Sequence, residues 1–565
     1  MKKVLLSCAI VCGVAFMGIV RAQTPAAKPA AAPAAQTPPP APAAAPPAAP
    51  VGVVSIGDTD VKNIPVPKPD DKAAGDPAGT ITGTAADIPV SDAKKGLTMT
   101  DVVNAVGQNL IATNFVWTLV TGFLVMFMQA GFAIVETGLA RAKNANHTMM
   151  MNFMVYGVGM LAYWLIGFAI QEGGVGMVAN LGGTAPLSSE FAVHIFGKDW
   201  GLFGQNGIML GGNTYDVGVM VLFLFQMVFM DTALTIVTGT AAERWKYSAF
   251  VISSFFMGAF TYPIYANWAW GGGWLMNLGA NYGLGHGYAD FAGSGVVHSV
   301  GGITALAMAI IIGPRIGKFA RDGKPNAIPG HDIVLVLLGC FILAFGWFGF
   351  NPGSTLGAAA NGNLRISSIA VNTMLAGMAG SFGAMYYMWI RYGKPDASMT
   401  GNGLLAGLVA ITAPSGFVNP MGSVIIGLIA GVLVCLSCEF IERKMKLDDV
   451  VGAISVHGTN GLWGVISVGL FADGRSNYAG AWNSVPGSVT GLFYGDAGQL
   501  VAQLIGVATL VGFVFSFSFV LNMIIEAVWG HRVPAKVELE GLDIPEMGAL
   551  GYPEFVLKPD TVGVQ

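Results

Sequence analysis

Apolar stretches of about 20 residues recur along most of this 565-residue chain, and each is long enough to cross the hydrocarbon core of a membrane as a helix. Only 11% of the residues are charged, whereas soluble globular proteins have about 25%. The sequence therefore predicts an all-α integral membrane protein with eleven transmembrane helices. Their approximate spans are 114–137, 147–170, 217–241, 247–270, 291–312, 331–350, 367–390, 400–414, 421–441, 451–471 and 499–529.

The N-terminal part of the chain has a different composition. Residues 1–22 combine two lysines, an apolar run and a terminal alanine, which is the pattern of a secretory signal peptide. Residues 23–108 are rich in Ala and Pro, so they cannot bury a core and are expected to form a disordered external segment. Residues 109–530 then form the membrane domain, and residues 531–565 form a C-terminal tail.

The distribution of basic residues predicts the orientation. A cleaved signal peptide leaves the mature N-terminus outside the cell. With that orientation, fifteen Lys and Arg side chains lie in inside loops, against three, Lys198, Arg365 and Arg475, in outside loops. An odd number of helices then leaves the C-terminal tail in the cytoplasm. We expect a multi-pass protein of the inner (plasma) membrane.

Two histidines lie within otherwise uncharged apolar segments. His298 is the only titratable side chain from Phe291 to Ile312, and His457 stands alone in the same way within residues 450–464. Ionisable groups are rare at that depth because a charge in hydrocarbon costs several kcal/mol. Each histidine follows a valine and precedes a small residue. We therefore expect the two side chains to form one shared site, from the fifth and tenth helices.

A metal centre is the competing interpretation of this pair. Zinc requires three or four ligands, and no third His, Cys or acidic residue lies in the matching segments. We predict no metal and no cofactor. His298 and His457 are instead interpreted as hydrogen-bonded to each other, which fixes the tautomer of each ring and allows a proton to pass between them.

Five motifs resemble those of the ammonium transporter family (Amt/Mep/Rh), of the bacterial Amt type, and follow in the same order as in that family. They are FQMVF at 225–229, NWAWGGG at 267–273, DFAGSGVVH at 290–298, GWFGFNPGS at 346–354 and VHGTNG at 456–461. The resemblance implies two inverted five-helix repeats plus one extra C-terminal helix, a homotrimer in the lipid bilayer, and transport of ammonium or ammonia rather than an enzymatic activity.

The resemblance also assigns residues to an external ammonium-binding vestibule by their motif positions: Trp270, Ser354, Phe229 and Phe350, with Asp290 beside them. An indole face attracts a cation, and a serine hydroxyl accepts one of its hydrogens. Phe229 and Phe350 would also stack as a gate beneath the vestibule. Asp290 has two compatible roles, as a cap for helix amides and as a negative charge near the cation.

This arrangement addresses a problem of selectivity. Ammonium and potassium carry equal charge and have similar sizes, so a pore of fixed width cannot separate them. Ammonium can release a proton and continue as neutral ammonia, which avoids the Born cost of about 20 kcal/mol for a bare ion in a medium of low dielectric. An apolar pore lined by His298 and His457 would select on that chemistry.

Four further charged positions lie in or near the apolar stretches. Glu136, Glu243 and Arg244 are interpreted as helix-end residues at the cytoplasmic interface. Asp231 lies inside a stretch, two residues after Phe229, at a position that is uncharged in the family pattern. Its role as a helix contact or as a pore residue stays open.

The tail at 537–552 is similar to the family's cytoplasmic segment, which cooperates with nitrogen-regulatory signal proteins of the PII class. Glu546 stands where the family usually has histidine, which puts regulation through that position in doubt. An ammonium sensor that signals through the tail is the alternative function, although no fused signalling domain follows the tail. A gas channel like those of the Rh branch is disfavoured because Trp270 follows the bacterial pattern.

Overall fold

The computed structural model describes residues 98–175, 180–182, 187–359, 363–475 and 481–553. The predicted signal peptide and most of the Ala/Pro-rich segment lie outside the described residues. The chain divides into two compact units, Met1–Leu110 and Ile111–Gln565. The first is described only from residue 98 onward and contains the beginning of the first helix, whereas the second contains the rest of that helix and all the others.

Long helices dominate the described residues, and each predicted apolar stretch coincides with one of them. Eight are long and apolar enough to cross a membrane, namely α1 to α6, α9 and α11, whereas α8 is a shorter apolar helix. The helices are α1 Met99–Leu139, α2 Ala142–Glu172, α3 Val217–Ala241, α4 Tyr247–Ala269, α5 Ser294–Ile312, α6 Ile333–Phe350, α7 Ile366–Tyr392, α8 Ala397–Thr412, α9 Pro420–Met445, α10 454–471 and α11 Ala497–Val528.

Helix α1 begins earlier than the boundary drawn from composition. Residues 99–108, which the sequence analysis assigned to the disordered external segment, are helical. The cause is a capping box, in which the Asp101 amide donates to Thr98 Oγ1 at 3.2 Å and the Thr98 amide donates to Asp101 Oδ2 at 3.1 Å. Composition alone did not reveal this local start signal.

Two short antiparallel hairpins add strand to a fold that was predicted to be all-α. One pairs β1, Glu190–Ile195, with β2, Lys198–Gly204, and the other pairs β3, Ala481–Trp482, with β4, Val485–Pro486. The first hairpin turns at residues 196 and 197, which both have positive φ, as a two-residue turn requires. Both hairpins lie in segments that connect the long helices, so the protein remains mostly helical.

The two histidine-bearing helices begin in the same unusual way. Helix α5 starts with the π-helical turn Ser294–Ser299, and α10 starts with the π-helical turn Ile454–Thr459. Just beyond His298, the backbone of Gly302 approaches that of Gly458, so that a Cβ on Gly302 would lie 2.1 Å from the Gly458 nitrogen. Only glycine permits this approach, which brings the two histidine-bearing turns together.

These two helices occupy the interior of the bundle. Helix α5 packs against α3 and α11, and α10 packs against α8 and α11. Helix α7 packs against α8 and α9 toward the periphery. Two short tail helices, α12 Ala535–Glu540 and α13 Asp543–Met547, follow α11. The packing explains why side chains from α5 and α10 are buried at the centre of the protein.

Candidate functional site

Three of the predicted vestibule residues line one cavity of about 290 Å³: Phe229 on α3, Trp270 at the end of α4, and Ser354 just after α6. The Trp270 indole is held by its Nε1, which donates to the Asp290 carbonyl oxygen at 2.7 Å. Ser354 Oγ donates to the Phe350 carbonyl oxygen at 2.9 Å, so its lone pairs remain available to accept a hydrogen bond. The cavity thus offers an aromatic face and an acceptor to a small cation.

The Asp290 carboxylate does not line this cavity. Its oxygens accept hydrogen bonds from the amides of Gly293 at 2.8 Å, Gly295 at 2.9 Å and Val296 at 2.9 Å. Burial raises the pKa of Asp290 to about 6, although the backbone hydrogen bonds lower it. Of the two roles considered for Asp290, capping the start of α5 is therefore the one with direct contacts, and any effect on a bound cation acts through its charge.

Besides Asn483, two polar residues that were not predicted from the sequence also line the cavity, Glu172 and Gln226. Gln171 joins them, because its Nε2 lies 2.9 Å from Glu172 Oε1 and 3.0 Å from Gln226 Oε1. Gln226 belongs to the FQMVF motif, which could have identified it. Glu172 stands at the end of the second apolar stretch, where an acidic residue is easily interpreted as a helix end.

Stacked phenylalanine rings close the cavity at its buried side. The ring centroids of Phe229 and Phe350 are 4.1 Å apart with an interplanar angle of 29°. Both side chains are almost fully buried. The Trp270 ring lies edge-on to Phe229 with a centroid distance of 6.3 Å. The two phenylalanines thus have the geometry expected of a gate.

The two intramembrane histidines meet beyond this stack. Their Nδ1 atoms are 3.2 Å apart, and their ring centroids are 5.2 Å apart. One Nδ1–H must donate to the other Nδ1, so the two rings hold complementary tautomers. The His298 ring also stacks on Phe350 at a centroid distance of 5.3 Å, and both histidines are buried. The geometry agrees with the hydrogen-bonded pair inferred from sequence.

The family model for the ammonium transporter family matches residues 116–552 of the chain. The chain belongs to the ammonium transporter family. The resemblance drawn from its motifs is therefore confirmed. Together with the apolar helices, the family also identifies the protein as a multi-pass membrane protein.

Individual relatives agree with this membership. Ammonium transporter Amt2 of Archaeoglobus fulgidus is 47% identical over 449 residues, covering 79% of this chain and 89% of the relative. A putative ammonium transporter of Synechocystis is 37% identical and covers 79% of this chain and 90% of its own. Among solved structures, a sensor Amt protein has a TM-score of 0.66 with 33% identity, covering 78% of this chain and 100% of that one. Candida albicans Mep2 has a TM-score of 0.62 with 25% identity and coverages of 80% and 93%.

An aspartate stands eight residues before each of the two buried histidines, although only Asp290 was predicted to act as a cap. Asp449 precedes His457 as Asp290 precedes His298. The Asp449 carboxylate accepts from the amides of Ala453 at 3.1 Å and Ile454 at 2.8 Å, so it caps the start of α10. Burial raises the pKa of Asp449 to about 6. Equal spacing in the two segments was the signal that could have revealed this second cap.

A small cavity of about 20 Å³ lies beside His457, and Glu136 also lines it. Glu136 is only 2% exposed, and its carboxylate accepts from Asn152 Nδ2 at 2.6 Å and from Thr238 Oγ1 at 2.8 Å. Glu136 does lie in the last turn of α1, as predicted, but neighbouring helices cover it, so it is not an exposed helix-end residue. Arg141, which follows the end of α1, pairs with Glu243.

Asp231 is a second buried carboxyl group on α3, at 2% exposure. It lines neither the external cavity nor the small cavity beside His457. Among the residues that the structure describes, its Oδ1 has no hydrogen-bond partner. Of the two roles left open for Asp231, these contacts do not support the role of a pore residue.

No group of three or more His, Cys, Asp and Glu side chains is arranged to hold a metal ion within the described ranges. The histidine pair provides two nitrogen ligands, and the surrounding rings of Trp347, Phe350 and Phe132 provide none. Two ligands do not meet the coordination that zinc requires.

An ion-pair network joins Arg315, which follows α5, to the ends of neighbouring helices. Arg315 Nε lies 2.8 Å from Asp448 Oδ2, and its Nη1 lies 3.0 Å from Glu243 Oε1. Burial alone would raise the pKa of Asp448, but the hydrogen bonds and charge of Arg315 lower it to about 2. Glu243 and Arg244 do follow the end of α3, as predicted, yet both are fully buried. The network therefore joins the ends of the helices rather than facing solvent.

The C-terminal tail packs through its acidic residues against the starts of α2 and α4 and against the segment that follows α5. Asp543 Oδ1 accepts from the His147 amide at 3.0 Å, and Glu538 Oε1 accepts from the Ile316 amide at 2.6 Å. Glu546, the residue that replaces the family histidine, accepts from the Tyr247 amide at 2.9 Å. Glu546 thus satisfies a free amide at the start of α4.

Proposed function

We propose that this protein transports ammonium from outside the cell across the inner membrane. One observation carries the proposal: a continuous series of ring contacts leads from the vestibule to the histidines. Centroid distances along it are 6.3 Å from Trp270 to Phe229, 4.1 Å from Phe229 to Phe350, 5.3 Å from Phe350 to His298 and 5.2 Å from His298 to His457. A path that begins with a cation-binding cavity and then becomes apolar suits an ion that can become neutral by releasing a proton.

In this mechanism, ammonium binds between the Trp270 face and Ser354, then releases a proton. Neutral ammonia passes the phenylalanine gate and the apolar pore. His298 and His457 receive the proton and relay it, because each ring can accept at one nitrogen and donate from the other. Both rings are neutral at rest, since burial disfavours imidazolium and two adjacent cations would repel. Asp290 favours the cation through its charge.

Function as an ammonium sensor is the second candidate, supported by the 33% identity with the solved sensor Amt protein. The discriminating experiment is electrophysiology on purified protein in liposomes. A transporter gives a saturable current when ammonium is added and none when potassium is added. A sensor without useful flux gives no current with either ion, and that result would reject the proposal.

The topology and assembly that accompany this function are also proposals. We propose eleven membrane-spanning helices in two inverted halves plus α11, with the mature N-terminus outside and the tail in the cytoplasm. Equivalent aspartate caps before His298 and His457 support the repeat. A reporter fused to the C-terminus should be active only in the cytoplasm, and activity only in the periplasm would contradict the orientation.

We further propose that the protein is a homotrimer and that its cytoplasmic face can bind a PII-class protein. Support comes from family membership. The mass of the protein in nanodiscs tests the first proposal, with a monomer as the contrary result. Binding of a purified PII-class protein to these nanodiscs tests the second, and absence of binding at every effector concentration would reject it.

The vestibule residues should set the concentration dependence of transport. Trp270→Ala and Ser354→Ala each remove one contact with the bound cation, so the ammonium concentration at half-maximal current should rise about five- to thirtyfold, corresponding to about 1 to 2 kcal/mol for a cation over an aromatic face. Maximal current should persist. Phe191→Ala, in the external hairpin and outside the cavity lining, is the control. An unchanged half-maximal concentration in both vestibule variants would exclude a binding site there.

A further inference from the structure

The small cavity beside His457 is large enough to hold a water molecule that could carry a proton. Its volume of about 20 Å³ is enough for one water molecule, which needs roughly 10 to 15 Å³ for its centre. Three polar side chains line it, His457, Glu136 and Asn402. A larger cavity of about 200 Å³ shares Asn402 and Val451 with it and is lined by charged cytoplasmic residues, including Arg315 and Glu442. The small cavity therefore lies between the histidine pair and the cytoplasmic side.

Glu136 is held at this cavity by the geometry of α1. Phe132 contacts the His457 ring at a centroid distance of 5.9 Å, and Glu136 lies one helical turn further along the same face. Asn152 and Thr238, from α2 and α3, donate to the carboxylate and set its position. Gly239 leaves room for it, because a Cβ there would lie 3.0 Å from Glu136 Oε1.

The neighbours of Glu136 do not require a charged side chain at this position. Its hydrogen-bonding neighbours are neutral, and within the described residues no cationic side chain forms an ion pair with it. A buried carboxylate with only neutral partners is costly to keep charged, so it is well suited to accept a proton from a protonated histidine nearby. In contrast, Asp290 and Asp449 are engaged as caps of helix amides.

We propose that Glu136 is the proton acceptor at the cytoplasmic end of the histidine pair. This inference rests on the proposed function, in which the pair relays the proton of ammonium. The N–H bond of protonated His457 breaks and an O–H bond forms on Glu136, directly or through one water in the small cavity. Imidazolium and carboxylate thereby become imidazole and carboxylic acid. The acid then loses its proton to water in the larger cytoplasmic cavity, which regenerates the carboxylate while ammonia leaves separately.

The test is Glu136→Gln in the full-length protein, reconstituted and compared with Glu136→Asp. Gln retains a carbonyl acceptor for Asn152, and the Thr238 hydroxyl can accept from its amide, so the fold is preserved. We expect the ammonium-driven current of Glu136→Gln to fall at least tenfold, with an unchanged half-maximal concentration. Glu136→Asp should retain more current than Glu136→Gln, because it keeps the carboxylate. Asp231→Asn is the matched control, since Asp231 is also a buried membrane carboxyl but lies outside both cavity linings.

The outcomes distinguish a failure of the Glu136 proposal from a failure of the proposed transport function. A current within twofold of wild type in Glu136→Gln, alongside loss of current in His298→Ala, would reject the role of Glu136 and leave the proposed function standing. Equal loss in Glu136→Gln, Glu136→Asp and Asp231→Asn, together with a lowered unfolding temperature, would show that Glu136 acts only through structure. No ammonium current in the wild-type protein would overturn the proposed function and this inference together.

Discussion

Alanine in place of His298 or His457 should reduce the ammonium-driven current about a hundredfold or more, the scale of a lost general acid–base group. The two Nδ1 atoms are 3.2 Å apart, so removing either ring breaks the only direct hydrogen bond between them. The measurement is current from liposomes of equal protein content. The external cavity does not include either histidine, so ammonium binding in the vestibule should be retained.

Acidic replacements should change selectivity rather than stop conduction. His298→Asp and His457→Glu each leave a polar side chain in an otherwise apolar pore, which gives a hydrated ion a route. We expect potassium currents to appear in these two variants and to be absent in wild type, with both ions measured side by side. A double alanine variant that kept wild-type current and selectivity would show that the pair is only a satisfied buried contact.

The Gly302→Ala variant should lose both transport and stability. Its Cβ would lie 2.1 Å from the Gly458 nitrogen and 2.4 Å from the Gly458 Cα, and these are backbone atoms that cannot rotate away. Helices α5 and α10 must therefore separate beside the histidine pair. Overpacking of this kind typically costs about 1 to 3 kcal/mol and occasionally more. We expect a lowered unfolding temperature and a current reduced at least tenfold, because the Nδ1 atoms move out of hydrogen-bonding distance.

Gly458→Ala is the matched control from the other side of the same contact. A Cβ on Gly458 would meet Gly302 backbone atoms at 3.4 to 3.5 Å, which is ordinary van der Waals contact. This variant should keep most of its stability and current. If the two substitutions lowered the unfolding temperature equally, the collision of a Gly302 Cβ with the Gly458 backbone could not be what sets the separation of α5 and α10.

Much of the architecture could be predicted from sequence because a membrane restricts the possibilities. Every backbone group in hydrocarbon must be satisfied within its own segment, so an apolar stretch of about 20 residues can only be helical. Because polar residues are scarce in these apolar stretches, His298 and His457 could be recognised from the sequence. The connecting segments are not under this constraint, which explains why the hairpin at 190–204 and the early start of α1 at Met99 were missed.

Residue order along the chain determined which chemical groups this protein carries: an aromatic and hydroxyl vestibule, a phenylalanine pair and two histidines at corresponding places. Only the tertiary structure decided their contacts. Glu136 and Asp290 have the same side-chain chemistry as acids at a helix end, but α2 and α3 cover Glu136 beside His457, whereas Asp290 turns to its own helix amides. The reason is physical: burial and proton transfer depend on distances of a few ångströms between different helices, and those distances follow from packing, such as the contact of Gly302 with Gly458.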